Sequence, residues 1–342
     1  MIPHNKPTLG REEEEAAVRA LRSGWVAQGK EVRGFEDDMC SFLGLPAGHA
    51  VAVSSGTAAL FLALTVLKAR GRNVAFPAYA CSALKNACAM SGGIPVLLDN
   101  EEASPNVDLQ ALAGSRADIA IVPHMFGIPT VIPHYGTMEV IEDCAQALGA
   151  CVENEPVGLR GIVGVYSFFA TKMITSGGQG GMLISRDINL IDEIRDYREF
   201  DCRRDRKPRF NFQMTDLQAA VGRAQLRKLP DFINRRREIF ERYVRAGLDL
   251  MDPVMEMAAS RKAVRFRAVL KTDKAQAVID LLAGANIKAI VPLEEWELLG
   301  PSRLYPQACK VTKTTVSLPI YPSLTNKETD LIISILRKGA LQ

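Results

Sequence analysis

The chain has 342 residues, of which 47% are hydrophobic and 24% charged. That composition excludes wholesale disorder, and the length allows a large core without disulfide or metal staples. With 42 basic and 39 acidic residues the net charge is +3, which gives no general attraction to nucleic acid or to an anionic membrane. At about 150 residues per domain the length implies two domains.

Residues 10–22 read as a helix, with Glu12 to Glu15 loading its first turn and Gly24 following its end. Residues 32–44 read as a second helix ending at Gly44. Short β-rich runs then alternate with helical stretches such as 57–70 and 81–91. The runs are 50–54, 73–77, 95–99, 119–124, 139–143, 163–169 and 181–185. Strands apolar on both faces, alternating with helices, indicate a mainly parallel sheet covered by helices. A charged segment, 190–209, leads into helical stretches at 214–228 and 231–247. Strand and helix then mix at 264–270, 274–285, 315–318 and 325–338. The expected organisation is a large α/β domain over 1–240 and a smaller α/β domain over 241–342. No run approaches the roughly 20 apolar residues of a membrane helix, and the N-terminal stretch lacks the apolar segment of a secretion signal. The seven cysteines are odd in number and lack a C-x-x-C pair, so they read as reduced thiols of a cytoplasmic protein. His4, His49, His124 and His134 show no ligand spacing, so no dedicated metal site is expected.

Three segments carry chemistry. In VSSGTAAL (53–60) a strand turns into a helix through small residues, so Gly56, Thr57 and Ala58 can cradle a phosphate with free N–H groups. Taken alone it is equally a turn capped by Ser55 or Thr57. In IEDCAQALGA (141–150) Glu142 and Asp143 end an apolar strand, where a carboxylate either meets a ligand or caps the next helix. In SFFATKMITSGGQGG (167–181) Lys172 stands among Phe168, Phe169, Met173 and Ile174. Apolar surroundings depress an amine's pKa and make it nucleophilic; the plainer reading is a lysine that reaches solvent.

An anion seat, a strand-end acid and a lysine, in that order, are what a pyridoxal phosphate site requires. With IPHNKPTLGREE at the start, NFQMTDLQAAVGRAQL at 211–226 and VSLPIYPSLTNKETDLI at 316–332, the chain resembles the DegT/DnrJ/EryC1/StrS family of fold-type-I aminotransferases, which mostly act on nucleotide-linked keto-sugars. The resemblance implies roles residue by residue. Lys172 forms the Schiff base and shuttles the proton, and Asp143 pairs with the pyridinium nitrogen. Gln146 contacts the phenolic oxygen side, and Thr57, Ala58 and Ser167 hold the phosphate. Gln213 or Asn211 reaches that phosphate from the second subunit of a homodimer. Cys81 stands where the family usually stacks an aromatic residue, with Tyr79 close by. The basic run 202–209 places Arg203 and Arg204 as candidates for the substrate's diphosphate. The sequence departs from the family in Gln179, where glutamate is common, and in lacking any histidine after residue 134. The implied function is transfer of an amine from glutamate to a keto group of a nucleotide sugar. The alternatives are a lyase or dehydratase of the same fold type, or a non-catalytic scaffold; family dehydratases carry histidine at the position of Lys172.

Overall fold

The computed structural model describes residues 1–133, 136–252 and 260–339; His134 lies outside the described residues. All seven expected runs become strands of one sheet. They are β1 (Ala50–Val53), β2 (Asn73–Pro77), β3 (Ile94–Leu98), β4 (Ile119–Pro123), β5 (Glu139–Asp143), and, after the short hairpin β6 (Cys151–Val152) and β7 (Glu155–Pro156), β8 (Val163–Ser167) and β9 (Gly181–Ile184). The order across the sheet is β3-β2-β4-β5-β8-β9-β1. The pairs from β3 to β8 are parallel, and β9 runs antiparallel to both its neighbours.

The sheet is buried on both faces, and the alternation of side chains shows it. Val51 and Val53 of β1 enter one core, while Ala50 and Ala52 enter the other. The first core is covered by α3 (Gly56–Val66), whose Leu60, Leu62 and Leu64 pack there. The second is closed by α2 (Lys30–Leu43), through Val32, Phe35 and Met39, and by the helix Asp216–Arg245 through Leu226, Leu229 and Phe232. The Phe35 and Phe168 rings meet there at 4.8 Å between centroids.

Two local expectations change. The two helical stretches expected at 214–228 and 231–247 are a single helix, Asp216–Arg245, which runs through Pro230. A proline inside a helix costs about 3 kcal/mol, and each fully buried large apolar side chain contributes about 1.5–3 kcal/mol. Leu229 and Phe232 on either side of Pro230 are buried, so packing outweighs the break. The charged segment opens with a helix, Ile188–Arg198, because Leu190, Ile191 and Ile194 form an apolar stripe among its charges.

With α1 (Arg11–Arg22), α4 (Ser82–Ser91), α5 (Leu109–Gly114), α6 (Ile188–Arg198) and α7 (Asp216–Arg245) placed, the remaining chain supplies β10 (Arg261–Lys262), β11 (Ala268–Lys271), α8 (Ala275–Gly284), α9 (Pro306–Lys313), β12 (Thr315–Leu318) and α10 (Asn326–Gly339). β11 and β12 pair antiparallel and build a separate core with Ile332 and Leu336. The far half of α7 joins that core through Ile239, Phe240 and Tyr243, so one helix connects both cores. Ile2 also enters it, bridging to Ile287. Among the described residues, no helix is long and apolar enough to cross a membrane.

Candidate active site

The site lies at the C-terminal ends of the parallel strands, where α/β sheets present their loops to ligands. At the end of β1, Ser55 caps α3, its Oγ accepting from Ala58 N at 3.1 Å. The capping alternative is therefore realised, and Ala58 offers its N–H to Ser55. Gly56 and Thr57, in the first turn, keep N–H groups without an intrahelical partner. Glycine is required in this corner. A Cβ on Gly56 would meet Ser167 Cβ at 2.9 Å, and one on Gly181 would lie 2.7 Å from Gly56 N and closer still to Ser55 O. Gly56, Ser167 and Gly181 are thus packed backbone to backbone, which brings two of the expected phosphate contacts together.

Strand alternation separates the two acids of β5. Glu142 turns away from the site and is fully engaged: Oε1 accepts from Arg160 N and Gly161 N at 2.6 Å each, and Oε2 faces His124 Nε2 at 3.0 Å. Burial pushes the Glu142 carboxyl up, but His124 and the backbone N–H groups outweigh it, and the net shift is downward. His124 Nδ1 accepts from Thr130 N at 3.0 Å, so its proton sits on Nε2, toward Glu142. Glu142, His124 and Cys144 offer ligand atoms within 4.8 Å of one another. The imidazole and carboxylate of that trio are already committed to hydrogen bonds, so it reads as a scaffold under β4 and β5.

Asp143 faces the other way, into the site. Its Oδ1 accepts from Ala145 N at 3.0 Å, and it is electrostatically coupled to Lys172. Burial raises the Asp143 carboxyl, against the pull of Ala145 N–H, Lys172 and His124. Lys172 stands in the loop between β8 and β9, whose turn requires the positive φ of Gly177 and Gly178. Burial lowers the Lys172 amine, with Asp143 and Cys81 pulling it back up and Arg267 adding to the depression. The direction matches the sequence reading, but the aromatic partner differs. Phe168 turns into the core, Phe169 is exposed, and Lys172 Nζ lies 5.5 Å from the centroid of Phe266, contributed by the strand region before β11. The N-terminal segment covers the same loop, Asn5 Nδ2 donating to Thr171 O at 2.9 Å.

The remaining expected residues divide. Cys81 is exposed at the start of α4 and close enough to Lys172 to influence it. Tyr79 is wholly buried, edge-on to Phe126, so its ring has no free face for stacking; its hydroxyl lies near Thr315 and Arg267. Gln146 Oε1 accepts from Phe126 N at 2.8 Å and holds the turn in which Phe126 takes a φ of 60°. Gln213 bridges to Val53 of its own chain and donates to Glu199 Oε2 at 3.2 Å, with Asn211 exposed beside it. Arg203 is paired with Asp196, which also holds Arg209 at 2.7 Å and Lys207 at 3.1 Å. Three of the five cations of the run thus share two carboxylates, Asp196 and Asp205, while Arg204 and Arg206 are exposed.

Sequence reasoning missed Phe266, Arg267, His4 and the His124–Glu142 pair. The first two had a visible signal: VRFRAVL (264–270) sets arginines at alternate positions of an otherwise apolar strand. His4 and His124 had none, since each meets its partner across a long sequence separation.

A glycine corner, a strand-end acid and a lysine lowered by burial lie at the C-terminal end of a seven-stranded, mostly parallel sheet of the fold-type-I aminotransferase kind. The chain belongs to the DegT/DnrJ/EryC1/StrS aminotransferase family, whose model matches residues 7–337. It is 30% identical to the spore coat polysaccharide biosynthesis protein SpsC of Bacillus subtilis, over 99% of this chain and 98% of that one. It is also 30% identical to a dTDP-4-dehydro-2,3,6-trideoxy-D-glucose 4-aminotransferase of Saccharopolyspora spinosa, over 99% and 97%. Among solved structures it resembles the aminotransferase TlmJ of Streptoalloteichus hindustanus, with a TM-score of 0.90, 27% identity and coverage of 100% and 99%. The sugar aminotransferase CalS13 of Micromonospora echinospora matches with a TM-score of 0.89, 26% identity and coverage of 99% and 100%.

Proposed function

We propose that this aminotransferase moves an amine from an amino-acid donor, glutamate, to a keto group of a nucleotide-linked sugar, using pyridoxal 5'-phosphate in two half-reactions. One observation carries the reading: Asp143, coupled to Lys172, and the Gly56–Ser167 corner lie together at the C-terminal end of the sheet. The sugar substrate is supported by relatives such as the Saccharopolyspora spinosa enzyme, named for a dTDP-linked sugar.

The residues fit the cofactor. Gly56, Thr57 and Ser167 would hold its phosphate, where the first N–H groups of α3 lack intrahelical partners beside the Ser167 hydroxyl. Asp143, buried without a full counter-charge, would pair with the ring nitrogen. The cofactor supplies a cationic ring that withdraws electrons from the carbon bearing the amine. Asp143 would keep the proton on that nitrogen, because a carboxylate stabilises the charged form. Lys172, its amine lowered by burial, would serve as the nucleophile toward the cofactor and as the group that carries the transferred proton. Lysine at position 172 speaks against the dehydratase alternative. A cytoplasmic homodimer is part of the same proposal. It is supported by the seven free cysteines and by exposed Phe210 and Phe169 near the site.

The test is spectroscopic. Cofactor-loaded protein should show a visible band that L-glutamate bleaches and a nucleotide keto-sugar restores. A band that glutamate and other amino acids leave unchanged would overturn the transamination reading.

A further inference from the structure

The chain has two tryptophans, and their surroundings differ. Trp25 donates its indole N–H to Gln28 O at 3.1 Å, within its own loop. Trp296 is 82% exposed, and among the described residues its indole makes no hydrogen bond and meets no other ring. It stands in the middle of a single 3-10 turn, Glu295–Glu297, that is held from several sides. Glu294 and Glu297 each accept from the other's backbone N–H, and Glu295 pairs with Lys313 at 3.2 Å. Leu293 and Leu298, flanking the turn, are buried in one cluster with Tyr79 and Phe126. Leu299 N donates to Ala78 O at 3.0 Å, and Lys85 Nζ donates to Leu299 O at 3.2 Å, so the turn is fastened to the β2–α4 connection that carries Cys81. Glu297 lies within electrostatic reach of Tyr79 and Arg267. Arg267 and Lys172 in turn share the Phe266 ring, at 5.6 and 5.5 Å from its centroid. Trp296 thus stands at the rim of the active site.

A fixed turn that holds a tryptophan in solvent presents a flat apolar face with little left to order when a flat ligand arrives. We propose that Trp296 is the platform on which the base of the nucleotide-linked substrate stacks. This deepens the sugar aminotransferase reading and rests on it. Two observations select the base over the other parts of such a substrate. The first is charge. Glu294, Glu295 and Glu297 flank the indole, and Lys313 answers only Glu295. A diphosphate is repelled at such a turn, whereas a base is uncharged and brings ring N–H donors that a carboxylate accepts. The second is position. The keto carbon has to meet Lys172, and the base is at the other end of the molecule, with the diphosphate between. Phe266, Arg267 and Glu297 separate Trp296 from Lys172, so the indole is placed for that far end. Stacking suits the chemistry as well, because every base has a π-face.

The experiment uses cofactor-loaded protein with Trp296→Leu, which removes the ring, Trp296→Phe, which keeps a smaller one, and Trp25→Phe as the control. dTDP, UDP and GDP are titrated by calorimetry and by quenching of tryptophan fluorescence, and inorganic pyrophosphate is the probe without a base. An unchanged circular dichroism spectrum and cofactor band establish folding in each variant. The nucleotide that binds tightest should quench the unmodified protein and Trp25→Phe but leave Trp296→Leu unquenched. Its affinity should fall about 5- to 150-fold in Trp296→Leu, the range for one base stacked on an aromatic side chain, and less in Trp296→Phe. Pyrophosphate should bind both alike. Failure of all three nucleotides to bind the unmodified protein, or equal affinity in Trp296→Leu, overturns the assignment. So does a loss for pyrophosphate as large as that for the nucleotide. A shift of Trp296→Leu toward monomer in sedimentation velocity overturns it too, and makes the residue a contact between copies of the chain. If L-glutamate does not bleach the unmodified protein while nucleotide affinity still depends on Trp296, the transamination reading falls and the base platform stands. If L-glutamate bleaches it and no nucleotide depends on Trp296, the platform falls alone.

Discussion

At the level of single residues the site depends on two shifts that oppose ordinary behaviour: an amine lowered and a carboxyl raised, both by burial. Their mutual attraction works against each shift and loses to desolvation, which leaves both groups prepared for a ligand that supplies new charge. Lys172→Ala should abolish turnover and remove the borohydride-fixed link to the cofactor, and peptide mapping of the reduced protein checks it. Asp143→Asn retains a hydrogen-bonding group but no charge, so it should keep cofactor binding while losing about 100-fold or more in rate. Near-normal turnover would mean that another residue pairs with the ring nitrogen. Glu142 has a different task. A carboxyl held below its ordinary value of 4.5 stabilises the fold above that pH and loses the contribution as pH falls through the folded value. In Glu142→Gln an amide would face either the His124 N–H or the backbone donors of Arg160 and Gly161. The variant should lose about 1–3 kcal/mol at pH 7, and the gap from the unmodified protein should close below pH 4.5. Denaturant unfolding at both pH values measures it.

Among the secondary-structure elements, the junction of β1, α3 and β9 leaves no space for extra atoms. Gly181→Ala would drive a methyl group into Ser55 O and Gly56 N, both backbone, so the strand or the helix has to shift. Overpacking of this kind costs about 1–3 kcal/mol, and here the cost falls on the phosphate corner. Cofactor retention on dialysis should drop well before thermal stability does; equal retention would show that the corner tolerates displacement. Pro230 offers the reverse case. It is exposed in the middle of α7 and withholds a backbone donor, so Pro230→Ala should raise unfolding free energy by about 1–3 kcal/mol with activity unchanged.

For the whole molecule, α7 couples two cores, and Ile2 to His4 return the N-terminus to the C-terminal core beside the site. Large apolar side chains are exposed in several places, among them Phe210 at 78% and Phe169 at 42%, on the two segments that adjoin the site. A second copy of the chain is the proposed cover. Phe210→Glu should shift the protein toward monomer in sedimentation velocity and weaken cofactor retention, whereas an unchanged mass would remove this face from the interface.

The strands, the glycine-rich turns and the order of phosphate corner, acid and lysine were determined by local sequence, because period-two burial and turn chemistry act over a few residues. The seven runs accordingly match β1 to β5, β8 and β9 closely. The family resemblance singled out Asp143 of the two acids of β5, but the physical reason is the pleat, which turns Asp143 to the site while Glu142 is drawn to His124 from the neighbouring strand. The continuity of α7 through Pro230 was decided by Leu229 and Phe232 packing against distant strands. The surroundings of Lys172 were decided in the same way. Phe168 and Phe169, its sequence neighbours, turn elsewhere, and Phe266 and Arg267 arrive from about 95 positions along the chain, a separation over which no periodicity carries information.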